Sequence, residues 1–456
     1  MKSKGVIIMR KILCLICSIV LVIAMLPLNC FAAKSEKVTL YGNKISVNAK
    51  QICFVAGEKD EYEFIDTMYD TSFKKYYYIG DNTIDIKTVA EKLPKLQNLV
   101  IIKCDVKNLS YLSKLDDLVW LGLHQCDGSE NLSFLKKLTG LKKFRYTKTY
   151  SKNPCKSIKP VSYLKNLTEL YLDADASAME DITPLKGLKK LKKLTLEHVD
   201  GEDVSIIKNF KNLRELKLRL GSERTDVSFL SKLDNLESLD ISGNTAFLDS
   251  IVKTKSRRLS KLSIDSNDED LSFIGSLLLE ELSLSYVNSS FTDSIKNLGG
   301  LKYLSLMDIN NGRLYDMSFM ERLYSLETLM VFGNRDVRLH GNTSVKNVSI
   351  MLSSFSSMIG LNECENLESL VIYNNNSDFH ISWIEGMKIK ELSISDGADY
   401  GIKNMSKLAT LKQLETLTLD FTGISDELCK AIKKALPKCE IEVCELGGDP
   451  YSIRNY

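Results

Sequence analysis

The sequence predicts an α/β solenoid: a right-handed coil of short parallel strands and short helical segments, capped at both ends. Three observations predict it. A Leu-x-x-Leu-x-Leu pattern recurs along most of the 456 residues. A second pattern, Asp/Asn-x-Ser/Thr-x-Leu, sits between its copies. The stretches before and after the repeats lack both patterns and read as caps. A hydrophobic share of 44% with 26% charged residues is ordinary for a packed protein and argues against wholesale disorder.

The first element is a targeting segment. Lys2, Lys4, Arg10 and Lys11 precede an uncharged apolar run from Ile12 to Leu28. Asn29-Cys30-Phe31-Ala32-Ala33 then offers the small residues that a signal peptidase needs, with the cut expected after Ala32. An uncleaved anchor is the competing reading. The run is short for a span of about 20 residues, and Pro27 interrupts its exit. Residues 1–32 carry four of the 61 cations and none of the 59 anions, leaving 57 against 59. That balance gives no electrostatic footprint for nucleic acid. No second apolar stretch reaches spanning length, so the expectation is export without an integral membrane segment.

Residues 33–83 form the expected N-terminal cap region. Val38–Tyr41 and Lys44–Val47 flank Gly42-Asn43 as a hairpin signal. A helix is expected over Ile84–Leu96. The repeats then occupy residues 84–424. Clear copies are Leu118-Val-Trp-Leu121-Gly-Leu123, Leu213-Arg-Glu-Leu216-Lys-Leu218 and Leu414-Glu-Thr-Leu417-Thr-Leu419. The second leucine position falls at 99, 121, 144, 170, 194, 216, 239, 262, 282, 304, 329, 348, 370, 392, 417 and 439, giving 16 units. Alternation in Leu-x-Leu buries two leucines on one side of a strand and turns the middle residue to the other. One unit cannot bury its leucines alone, so neighbours must stack in parallel. Units this short leave room for 3₁₀ segments opposite the strands, with true helical turns in longer units such as the one between Phe144 and Leu170. Residues 425–456 are the expected C-terminal capping unit and tail. There Ser425-Asp426-Glu427 starts a helix with Leu428, Ile432 and Leu436 on its apolar face, and Pro437 stops it.

The two motifs resemble those of the leucine-rich repeat family, whose units run about 20–29 residues. Asp181-Ile-Thr-Pro-Leu185, Asp226-Val-Ser-Phe-Leu230, Asn108-Leu-Ser-Tyr-Leu112 and Asn131-Leu-Ser-Phe-Leu135 resemble the Asp-Ile-x-x-Leu element of its short, internalin-like bacterial subclass. The resemblance covers Leu93 to about Val443. It implies a parallel β-ribbon on a concave side and short segments on the convex side. Asn244, Asn334 and Asn375 match the family's Asn position after the strand, while Cys104, Cys126 and Thr422 substitute for it.

Catalytic and metal signals are sparse. His124, His198, His340 and His380 lie in distant units, without a nucleophile motif beside them. His124 and His198 are expected as solvated side chains on the concave side. Asp265-Ser-Asn267-Asp-Glu269-Asp270 has a partial calcium-loop spacing but lacks the sixth-position glycine and the twelfth-position glutamate. The expectation is therefore no metal, no cofactor and no enzyme activity. Eight cysteines follow residue 32: Cys53, Cys104, Cys126, Cys155, Cys364, Cys429, Cys439 and Cys444. Cys104 and Cys126 read as buried donors at the Asn position. One bridge among Cys429, Cys439 and Cys444 stays open.

The register also gives the positions that face away from the leucines. From Leu141 to Leu220 they alternate in charge: Lys143, Arg145, Glu169, Lys193, Glu197, Glu215, Lys217 and Arg219. That reads as a solvated face. Further on they become apolar: Tyr303, Met307, Met330, Phe332, Met351, Val371 and Tyr373, with Tyr286 beside them. A contiguous apolar patch calls for an explanation, and aromatic residues and Met are enriched in interface cores. Val100, Ile102 and Trp120 form a smaller candidate patch that the N-terminal cap could cover. The function expected is that of a secreted, non-enzymatic bacterial protein that binds a protein partner through its concave face. A glycan- or cell-wall-binding module and a self-associating surface protein remain the alternatives.

Overall fold

The computed structural model describes residues 36–57, 73, 75–149, 152–174, 176–199, 203–254, 257–265, 270–285, 292–309, 315–333, 337–339, 341–352, 360–374, 380–396, 402–420, 422–445 and 452–455. The targeting segment, Tyr286, Asn334, Asn375, His340 and most of the 265–270 loop lie outside them. The chain divides into two compact units, Met1–Asn235 and Leu236–Tyr456.

The first unit holds a parallel sheet. Its strands run in the order Tyr76–Ile79, Gln51–Ala56, Asn98–Ile102, Trp120–His124, Lys143–Thr147, Glu169–Asp173, Lys193–Val199 and Glu215–Leu220. The repeat dictates the register. Leu99, Leu121, Phe144, Leu170, Leu194 and Leu216 align across successive strands. None of the six is more than 2% exposed. Ile101, Leu123, Tyr146, Leu172, Leu196 and Leu218 form the second buried row two residues on. Each such side chain contributes roughly 1.5–3 kcal/mol by leaving water. The hairpin of Lys37–Leu40 and Asn43–Ser46 is antiparallel. It is tied in by Asn43 Nδ2, which donates to the Tyr78 carbonyl at 2.8 Å. Gln51–Ala56 and Tyr76–Ile79 extend the sheet beyond the first repeat strand, so the segment before the repeats shares their hydrogen-bonding pattern.

The second unit repeats this design. Ten strands from Ser238–Ser242 to Glu440–Glu445 pair in parallel, and Ser452–Asn455 adds an antiparallel edge. The repeat position expected at Cys439 is displaced by two residues. Leu417 pairs with Ile441 and Leu419 with Val443. The displacement follows from the helix before it. Cys439 is still in the turn that closes the helix, its amide bonded to the Leu436 carbonyl at 3.1 Å and its own carbonyl accepting from Lys433 Nζ at 2.7 Å.

Helical segments match the short spacing. Most are 3₁₀, and the Asp/Asn-x-Ser/Thr pattern explains how they start. Oδ1 of Asn131, Asp181, Asp203, Asp226 and Asp270 each accepts the amide of the residue two positions on, at 2.7–2.9 Å. These Asx turns satisfy backbone donors at the segment's entry. The unit between Phe144 and Leu170 carries the 3₁₀ segment Lys159–Tyr163 instead of the expected helical turn, and an α-turn falls at Ala176–Met179. The helix expected over Ile84–Leu96 is Ile86–Lys92, started by Asp85, which accepts from the Lys87 amide. The last helix, Asp426–Ala435, is capped by Ser425, whose hydroxyl accepts from the Leu428 amide. It buries Cys429 and Ile432 with Leu436, while Leu428 is only half-buried. All eight described cysteines are free thiols, which removes the bridge left open for Cys429, Cys439 and Cys444. Cys104 and Cys126 take the buried-donor role: their thiols donate to the carbonyls of Ile102 and Ile101, each at 3.2 Å. No helix among the described residues is long and apolar enough to cross a membrane.

The register makes a sharp contrast between neighbours. Leu216→Asp places a carboxylate in the stacked core and should cost about 4 kcal/mol or more. Glu215→Ala, next to it on the open side, removes one exposed ion pair and should cost under about 1 kcal/mol. Denaturant unfolding of the two variants checks this, and equal losses would contradict the register.

Candidate ligand-binding face

Side chains that alternate with the leucines form the open side of each sheet. In the second unit three rows emerge from the pairing. Tyr303 aligns with Thr328, Asn347 and Ser369. Ser305 aligns with Met330, Ser349 and Val371. Phe332 aligns with Met351, Tyr373 and Ser395. The third row is the most continuous. The Phe332 and Tyr373 rings lie with centroids 6.2 Å apart, although their strands are separated by the one that carries Met351. They therefore lean towards each other over Met351. All three are half-buried, as is Val371, and Met307 is 40% exposed. Serines frame the patch: Ser283 and Ser285 on one side, Ser393 and Ser395 on the other.

Met330 departs from the expectation. It is 3% exposed, and the Tyr303 hydroxyl donates to its sulfur at 2.8 Å. Its neighbours in the row are serines, so the larger side chains around it close over it. Met330 supports the patch from below and presents little surface to a ligand. Burial raises the Tyr303 and Tyr373 hydroxyl pKa values, so both remain neutral donors. Tyr286 lies outside the described residues, and the structure does not place it.

The smaller patch is a covered core. Val100 and Ile102 are 0% exposed and pack with Cys53, Val55 and Phe73, against Tyr76, Tyr78 and Trp120. Phe73 lies on Trp120 with ring centroids 4.9 Å apart, and Lys143 Nζ sits 4.1 Å from that ring's centroid. The cap thus occupies the place where a ligand would contact Val100 and Ile102.

His124 also departs from its expected place. It is 1% exposed, next to Gly122, where a Cβ would come within 3.2 Å of the imidazole Nε2 and 3.0 Å of Val100. Glycine is what lets the ring settle against the strand. Burial, with the charges of Arg145 and Lys143 second, lowers its pKa to about 3. His198 stays exposed and pairs with Asp173 at 3.0 Å. The charged face of the first unit is internally matched. Lys143 meets Glu169 at 3.4 Å, Lys193 meets Glu215 at 2.7 Å, and Lys217 meets Glu197 at 2.9 Å. Arg145 is 8% exposed with its guanidinium 5.3 Å from the Tyr171 ring centroid. Lys148 is 1% exposed and held by Asp127 at 2.6 Å and Glu130 at 3.2 Å. Nothing in the repeat pattern marks Lys148, because its acidic partners come from the turn of the preceding unit.

Leucine ladders, parallel sheets and 3₁₀ segments led by Asx turns make this a leucine-rich repeat fold. Similar solved structures include an internalin from Listeria monocytogenes, 22% identical over 72% of this chain and 81% of its own, with a TM-score of 0.44. A leucine-rich repeat protein from Leptospira interrogans is 19% identical, covering 77% and 90% respectively, with a TM-score of 0.40. A plant peptide hormone receptor is 16% identical, covering 86% and 68%, with a TM-score of 0.41. No family model matches the sequence, and no curated protein matches it.

The buried imidazole predicts a pH dependence. The unfolded chain binds a proton at His124 near the ordinary histidine value of 6.5, and the folded chain does so only near 3. Its neutral form therefore contributes full stability above pH 6.5, and that contribution falls as the pH drops towards 3. Between pH 7 and 4, wild type should lose about 3 kcal/mol more than His124→Gln, from about 1.4 kcal/mol per pH unit below 6.5. Denaturant midpoints at both pH values check this, and parallel losses would contradict it.

Proposed function

We propose that this chain is an exported, non-enzymatic binding protein that holds a protein partner against the open side of its second unit, at Met307, Phe332, Met351, Val371 and Tyr373. The carrying observation is the row Phe332, Met351, Tyr373, with its two rings leaning over the methionine on an otherwise serine-rich sheet. Exposed apolar residues are unremarkable singly, but a joined patch on a rigid sheet favours association. Phe and Tyr anchors with Met between them are suited to filling shallow pockets on a partner, and the serines around them can hydrogen-bond at its rim. The targeting segment supports export. Scattered histidines without a nearby nucleophile motif support a binding role over catalysis.

Paired capture tests the reading. Wild type and a Phe332→Lys/Met351→Glu variant are immobilised, and their partners are compared after both are shown to unfold at similar temperatures. A partner held by wild type should bind the variant at least about 100-fold more weakly, since interface anchors each carry about 2 kcal/mol or more. A partner held equally by both contradicts the site. Binding to arrayed glycans with no protein captured would favour the carbohydrate alternative.

A further inference from the structure

The turns that lead into the strands of the first unit carry a second, unrelated surface. Pairing of Lys143, Glu169, Lys193 and Glu215 fixes the register of the residues before them. Four positions earlier, the aligned residues are Thr139, Lys165, Lys189 and Lys211. One position before the strand, Lys142, Lys192 and Arg214 share a row with Thr168. Seven positions before it, Lys136, Lys186 and Lys208 share a row with Ser162. Every one of these cations is exposed. Segments 135–142, 162–168, 185–192 and 207–214 contain no Asp or Glu.

The panel has sharp ends. The preceding turn carries Asp116 and Asp117, and the following one carries Asp234 and Glu237. Asp203, just before segment 207–214, is a carboxylate that feels Lys208 and Lys186, and its Oδ1 accepts the Ser205 amide at 2.9 Å. Two of the lysines in these segments contact neutral oxygens: Lys190 Nζ reaches Asn166 Oδ1 at 2.7 Å and Lys211 Nζ reaches the Lys232 carbonyl at 3.1 Å. This contrasts with the open side of the same sheet, where lysine and glutamate alternate and pair. The turns are also fastened to each other. Asn166, Asn212 and Asn235 donate to the carbonyls of Thr139, Lys189 and Lys211 at 2.9, 3.0 and 2.8 Å. The backbone beneath the charges is therefore ordered before any ligand arrives.

We infer that this basic panel binds a linear polyanion, a polymer bearing closely spaced phosphate or sulfate groups. Strand steps of about 4.8 Å set like charges side by side, a repulsion that a row of anions relieves. Lysine supplies compact point charges without the bidentate fork of arginine, which suits contact with a charged chain over recognition of one group. Tyr163, 46% exposed with Lys136 Nζ 5.8 Å from its ring centroid, is the one exposed aromatic residue in these segments, Phe210 being fully buried, so a base-stacking platform of the single-strand-binding kind is missing from them.

Fluorescence titration of the full chain with inorganic polyphosphate and with a heparin oligosaccharide tests the inference, and the tighter of the two shows whether phosphate or sulfate is preferred. Wild type should bind at roughly 50 mM salt and weaken steeply by roughly 200 mM, as counterion release requires. Lys165→Glu/Lys189→Glu/Lys211→Glu should weaken binding by about tenfold or more, with the matching glutamine triple intermediate. Lys388→Glu/Lys412→Glu/Lys430→Glu makes the same charge change in the second unit and should stay within about twofold of wild type. Thermal unfolding confirms that each variant folds. Equal weakening by the two glutamate triples, no binding to either polymer at low salt, or binding to anionic lipid vesicles alone would overturn the inference. Neither triple alters the apolar patch, so the outcome is independent of the partner-capture test.

Discussion

The in-register stacking of paired apolar side chains is the constraint on which the other features rest. A parallel strand with Leu-x-Leu has one side that must leave water, and only an aligned copy beside it provides cover. That requirement fixes the residues at two positions in each unit and returns the chain to the same place about every 23 residues. It also forces tight reversals. Asx turns at Asp181, Asp203 and Asp226 supply them, and the Asn staples at 166, 212 and 235 tie consecutive turns together.

What the ladder leaves unspecified is where the surface diversifies. The residues before, between and after the paired leucines can be anything that tolerates a strand. In the first unit those positions hold matched charges, with Lys193 and Glu215, each just before its leucine, in contact across adjacent strands. In the second unit the position after the pair holds Met351 between Phe332 and Tyr373. The strand-leading turns are free in the same way, and there the first unit collects lysines without acids. A nearly neutral chain is thus compatible with a strongly basic flank, because its acids lie elsewhere, on the sheet face and at the Asx positions.

Much of this fold was legible in the sequence. Fifteen of the sixteen repeat positions fall on paired strands, because leucine spacing reports directly on burial. The exception, Cys439, lies where a helix and its exit turn replace the usual 3₁₀ segment, so the period shifts by two residues. The candidate face was only partly legible. A register tells which side a residue points to, and it says nothing about what lies on top. Met330 points to the open side, yet Tyr303 covers it. Val100, Ile102 and His124 point that way too. Phe73, far from the repeat pattern, covers Val100 and Ile102, while Gly122 gives the His124 ring room to lie flat. Net charge failed for a related reason: a sum over the chain erases the segregation between the acids and the turn lysines.

The central claim is that one alternating register buries the ladder and exposes a specific apolar row. Methionine oxidation reads both at once. Brief treatment with hydrogen peroxide, followed by peptide mass spectrometry, measures the rate at each sulfur, and access to the thioether controls that rate. The register predicts that Met307 oxidises faster than Met351 and both faster than Met330, which is as slow as the core residues Met317 and Met320. Oxidation of Met330 as fast as Met307, or protection of Met307 and Met351 alongside the core, would contradict the account.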